Sequence, residues 1–136
     1  MRYKDLPELY LKFGGRCAYC GKEISKKSMV IDHLVSKQRA EALYGSVDAY
    51  ERALGVGIND RDNLMPCCRL CKHFKGTMGL EAFRSRIEGI PERLGKESAL
   101  YKVGIDFGFF SASPWNVEFY YEKLDRNGKT AEENNV

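Results

Sequence analysis

At 136 residues, 43% hydrophobic and 30% charged, the chain is expected to form one domain with a small core, of a size that gains from a metal or disulfide staple. No apolar run approaches the roughly 20 residues a membrane helix needs, and the N-terminus MRYKDLPELYLKF is too interrupted by charge for a secretory signal, which excludes a membrane partner. A cytoplasmic address follows, where thiols stay reduced and paired cysteines are read as metal ligands.

In chain order, Leu6, Leu9 and Phe13 recur at helical spacing, with Pro7 in the first turn and Gly14-Gly15 as the stop. A glycine follows the second cysteine of CAYCG and lets the backbone turn there. Ser28 to His33 is rich in β-formers and is read as a short strand ending in Asp32 and His33. Lys37 to Tyr44 is helix-like, Ser46 to Leu54 holds a further helical turn or two, and GVGIND is a loop. Asp60 to Met65 brings the chain back as a second strand. Arg69 to Lys75 is a short helix weakened at Gly76, and Leu80, Phe83 and Ile87 mark another. Pro91 opens a third helix that reaches about Tyr101 and ends near Gly104. Val117, Phe119 and Tyr121 alternate with Glu118, Tyr120 and Glu122, the pattern of a half-buried strand. The last twelve residues are polar and are read as a frayed tail.

Cys17, Cys20, Cys68 and Cys71 form two Cys-x2-Cys pairs with 47 residues between them. Four thiolates at about 2.3 Å around one tetrahedral Zn2+ make a closed structural site, which closes a loop of about fifty residues. Cys67 has no partner at x2 spacing and is read as a core residue. Net charge is only +3, too small to identify a partner, but Arg69, Lys72, Lys75, Arg84 and Arg86 fall within eighteen residues holding one acid, Glu81. Such a run suits a phosphate backbone, and a solvated helix face accounts for it equally well. Between the cysteine pairs stand Asp32, His33 and Asn63, with His73 just after the second pair. Phosphodiester hydrolysis needs a base, a divalent cation and a group that fixes the base's tautomer. His33 suits the first role, Asp32 is a hard ligand for the second, and Asn63 suits the third.

These residues, CAYC…IDH…NLMPCCRLCKHFKG, resemble the zinc-containing HNH endonucleases common in phages and mobile elements. That pattern runs Cys-x2-Cys, Asp-His, Asn-Leu-x-Pro, Cys-x2-Cys, His or Asn, then Lys. The likeness covers roughly residues 12 to 86, and FRSRI and VEFYYEKL match more loosely the segments after the nuclease core in small phage members. It implies an α+β fold with a ββα-metal (His-Me finger) core clipped by a four-cysteine zinc site, flanked by helices and a C-terminal strand. One nuclease domain would span 1–124, with a tail over 125–136. It further implies metal-dependent nicking or cleavage of DNA, with structural Zn2+ on the four cysteines and Mg2+ or another divalent cation on Asp32. His33 is then the general base, Asn63 the orienting residue, and Lys75 a phosphate contact beside Lys72, Arg69 and Arg84. Partners would be DNA and either a second copy of the chain or a phage-encoded protein, in a host cytoplasm.

One position departs from the pattern. The His or Asn that should follow the last zinc cysteine is Lys72, and His73 comes one residue later. A one-residue shift rotates a helical side chain by about 100°, and a protonated lysine cannot ligate a cation. Three readings are open: the helix adjusts so that His73 joins Asp32 on the metal, Lys72 meets the scissile phosphate, or the chemistry is impaired and the fold is kept for binding. The loop from His33 to Asn63 is also longer than the compact family pattern, and its Lys37 and Arg39 serve either as DNA contacts or as packing decoration. The rival function is a non-catalytic zinc module that binds nucleic acid or protein through the Arg69 to Arg86 face.

Overall fold

The computed structural model describes residues 3–111 and 116–126. Among them it is α+β, with eight α-helices and one two-stranded antiparallel sheet. None of the helices is long and apolar enough to cross a membrane. The chain divides into two compact units, Met1–Leu80 with Glu118–Val136, and Glu81–Val117.

In the first unit, α1 (Pro7–Lys12) is entered through Pro7 in its first turn and buries Leu9. The strands β1 (Val30–His33) and β2 (Leu64–Cys67) pair Val30 with Cys67, Asp32 with Met65 and His33 with Leu64. Every residue of β2 is buried. Pro66 sits in mid-strand, tolerated because a two-stranded ribbon leaves each strand an edge; its carbonyl accepts from Ala18 N at 2.9 Å. Between the strands, α2 (Lys37–Tyr44) and α3 (Val47–Leu54) are each capped by a serine. Ser36 Oγ accepts from Arg39 N and Ser46 Oγ from Ala49 N, both at 3.0 Å. The helix pair encloses its own small core of Ala40, Tyr50 and Ile58, with Val35 and Val47 against it. After β2, Cys68 caps α4 (Arg69–Lys75), which packs on β1.

The expected C-terminal strand is not formed. Residues 120–126 are helical, here α8. The alternation at 117–122 fits period two, but Glu122 Oε1 accepts from Phe119 N at 2.9 Å, the return half of a capping box. The first N–H groups of α8, on Tyr120 and Tyr121, donate to the carbonyls of Tyr19 and Ala18. They thereby satisfy helix donors that would otherwise lack partners. Phe119 is buried with its ring edge-on to Tyr19, centroids 5.4 Å apart. Of the expected tail, Asp125 and Arg126 belong to α8, and 127–136 lie outside the described residues.

In the second unit, α5 (Leu80–Glu88) enters from Leu80 and is followed by α6 (Ile90–Glu97) and α7 (Ala99–Asp106). The single helix expected from Pro91 is broken at Ser98, whose extended backbone ends α6 and whose hydroxyl accepts from Tyr101 N at 3.1 Å to start α7. Gly104, expected as the stop, lies inside α7. A Cβ there would stand 2.5 Å from the Phe110 ring, so the glycine permits the close approach rather than ending the helix.

Candidate metal centre and adjoining cleft

Two short stretches bring the cysteines together. Arg16 and Glu23 form an isolated antiparallel bridge, and between them Gly21 at φ +78° turns the chain back while Cys17 N donates to Lys22 O. In the second stretch Cys68 is the N-cap of α4 and Cys71 lies in its first turn, its N–H 3.4 Å from Cys68 Sγ. The bond from Ala18 N to Pro66 O fastens the two together. All four sulfurs lie within 4.8 Å of one another, and Cys20 and Cys68 are 4.0 Å apart. A regular tetrahedron with metal–sulfur bonds of about 2.3 Å has edges of about 3.8 Å, so the group can hold one metal ion such as zinc.

Cys67 is buried on β2 outside this group, as the spacing indicated, and burial pushes its thiol well up. Within the group, a hydrogen bond from Cys71 lowers the Cys17 thiol to about 4. The same bond pushes Cys71 far up, and burial raises Cys20. Charge on Cys68 raises the ammonium of exposed Lys22.

Asp32 is 3% exposed and both carboxylate oxygens are engaged. Oδ2 accepts from Tyr19 Oη at 2.6 Å and from Lys75 Nζ at 3.0 Å, and Lys72 Nζ stands 3.6 Å from Oδ1. Burial, then the neighbouring carboxylate, drives the Tyr19 hydroxyl far above its usual pKa, so it stays a donor. Lys75 is wholly buried and also donates to His33 O at 3.0 Å, while Lys72 donates to Ile31 O at 2.9 Å. The expected phosphate contact at Lys75 is therefore an internal ion pair, because the three-residue step from Lys72 to Lys75 turns both toward β1.

His33 is half-buried at the end of β1, and its Nε2 lies 2.8 Å from Asn59 Oδ1. An amide oxygen only accepts, so this bond requires Nε2–H and leaves Nδ1 as the basic nitrogen. Asn63, expected to orient His33, does something else. Its Oδ1 accepts from Val35 N at 2.9 Å, and its Nδ2 donates to Val35 O and Ile58 O at 3.1 and 2.8 Å. It clamps the start of β2 to the segments flanking the α2–α3 insertion. Asn63→Ala is expected to lower stability by about 2–3 kcal/mol, read as a lower urea midpoint at unchanged slope, whereas Asn59→Ala, with its exposed bond, should change the midpoint little.

Asp32, His33, Ser36, Lys37, Lys72 and Thr77 line a cleft of about 390 Å3. His73 is exposed and is not among the residues that line that cleft. Arg69 is exposed at the start of α4, and Arg84, in the other unit, pairs with Glu81 at 3.0 Å and donates to Val117 O. A larger hollow of about 480 Å3, lined by Phe13, Leu34, Arg61, Met65 and Tyr121 among others, holds none of the predicted site residues. A catalytic divalent cation does not fit the cleft as built. Asp32 is the one acid among the described lining residues, and ammonium groups stand at both of its oxygens. Tyr19 and Asn59 went unread in the sequence, since nothing in CAYC or GVGIND ties either residue to the Asp-His pair.

Set against protein-family models, curated proteins and solved structures, the chain matches none of them.

Proposed function

We propose that the chain is an HNH-type phosphodiester hydrolase acting on DNA, with β1, β2 and α4 as its ββα-metal core and a structural zinc ion on Cys17, Cys20, Cys68 and Cys71. The observation that carries this reading is His33. It stands at the end of β1 on a cleft shared with Lys72, and Asn59 holds one ring nitrogen so that the other is the basic one. In the step this supports, Nδ1 takes a proton from water as the water oxygen bonds to phosphorus. The bond from phosphorus to the leaving sugar oxygen breaks, and that oxygen takes up a proton, giving a phosphomonoester and an alcohol. Zinc supplies no chemistry here; it fixes the knuckle and α4, and so the residues facing β1.

The test is nicking of supercoiled plasmid by zinc-loaded wild type and His33→Ala, with added Mg2+, added Mn2+, or no added divalent ion. Nicking that falls by about a hundredfold or more in His33→Ala, at unchanged zinc content, is the expected result. A second reading, nucleic-acid binding without hydrolysis, is favoured by the occupancy of both Asp32 oxygens. It takes over if plasmid stays intact in every condition while DNA is bound with strongly salt-dependent affinity.

A further inference from the structure

We propose that Lys72 supplies the positive charge in this cleft, so that the site takes a phosphodiester oxygen directly and admits no divalent cation at Asp32. The inference rests on the nuclease reading of the cleft and adds what neutralises its phosphate.

Two ammonium groups face one carboxylate, which leaves the trio Asp32, Lys72 and Lys75 with a net positive charge. Lys75 is 0% exposed, with Nζ between Asp32 Oδ2 and His33 O. It has no path to solvent without dismantling the contact of α4 with β1. Lys72 is different: its side chain is 44% exposed, and its Nζ is fixed at the cleft by Ile31 O at 2.9 Å and by Asp32 Oδ1. An ammonium has three N–H donors. One is used on Ile31 O, Asp32 Oδ1 at 3.6 Å is a charge contact rather than a hydrogen bond, and donors remain for an oxygen in the cleft.

A divalent ion at Oδ1 needs metal–oxygen distances of about 2.1 Å, which puts it beside the Lys72 ammonium. The exclusion rests on Lys72, whose ammonium is held at that position by its bond to Ile31 O at 2.9 Å. The arrangement is therefore an anion site with a built-in cation. Lys37 on the same lining adds to the charge.

The experiment titrates Mn2+ into zinc-loaded full-length wild type, Lys72→Asn and Lys72→Asn/Asp32→Asn, following loss of the free hexaaquo Mn2+ resonance, with zinc content and thermal unfolding checked for each. Wild type is expected to leave Mn2+ free, Lys72→Asn to bind one ion at least about tenfold more tightly, and the double variant to lose that gain. Wild type binding one Mn2+ as tightly as Lys72→Asn overturns the proposal, and so does a folded Lys72→Asn that binds no more than wild type. Where wild type nicks plasmid, nicking that persists without free divalent ions supports the proposal, and a strict Mg2+ requirement overturns it. The Mn2+ signal needs no hydrolysis. Intact plasmid with the expected Mn2+ pattern therefore removes the nuclease assignment alone.

Discussion

Stripping the ion from the four cysteines, or replacing Cys68 by serine, is expected to abolish cooperative unfolding of the first unit. Structural zinc contributes about 10–16 kcal/mol of apparent binding free energy, against total stabilities of about 5–15 kcal/mol for whole domains. The first unit has little to set against that loss. Its one sheet among the described residues is two strands of four residues each, and an isolated two-stranded ribbon is marginal in water. Residues 16–29, which carry Cys17 and Cys20, hold no helix or strand beyond one isolated bridge. Cys68 is also the N-cap of α4, a role that serine can keep through its hydroxyl, so Cys68→Ser isolates the loss of the metal ligand. Cys67→Ala is the control: that thiol is buried but outside the group, so it should cost about 1 kcal/mol and leave the zinc content unchanged. Circular dichroism melts with metal analysis check all three. Zinc uptake should also release protons at neutral pH, because cysteines bind the ion as thiolates. A Cys68→Ser protein with wild-type melting and zinc content would show that the ion is held elsewhere.

What the sequence disclosed divides along a physical line. Lys37–Tyr44 and Arg69–Lys75 were legible to the residue because local chemistry bounds them: Ser36 before α2, Gly45 at φ +89° after it, and Gly76 after α4. The four cysteines were legible because x2 spacing is itself ligand geometry. The register of β2 was not. It begins at Leu64 rather than Asp60, since Arg61–Asn63 form a 3-10 turn from which the Asn63 side chain reaches Val35 and Ile58. That partner choice depends on where residues 34–60 fold, which no local pattern carries. The α8 helix was hidden because aromatic alternation outweighs a single Glu at cap spacing, and the carbonyls that receive its first N–H groups, on Ala18 and Tyr19, lie near the other end of the chain. The Lys72 departure was visible, and the sequence also showed that a lysine cannot ligate a metal. That its ammonium would stand against Asp32 required the packing of α4 on β1.

Lys75→Met is expected to be the most damaging single charge removal in the cleft, at about 3–5 kcal/mol. The loss would leave Asp32, 3% exposed, with only the Tyr19 hydroxyl and the more distant Lys72 for compensation. Lys72→Met should cost about 1 kcal/mol or less, because its pair with Asp32 is longer, at 3.6 Å, and 44% of its side chain is open to screening. Lys75→Met/Asp32→Asn should recover much of the loss, since removing both charges removes the uncompensated one. Urea denaturation of the four proteins reads these differences, and equal losses for the two single lysine variants would refute the ranking by burial. The same pair of variants separates internal from external roles. A lysine that meets a phosphate reduces the slope of log affinity against log salt by about one when removed. If the chain acts on DNA as proposed, Lys72→Met should show that reduction. Lys75→Met should leave the slope unchanged and weaken nicking only through the end of β1, where its bond to His33 O is lost. A reduced slope for Lys75→Met would mean that the buried ammonium reaches DNA, and the ion pair with Asp32 would then have to open on binding.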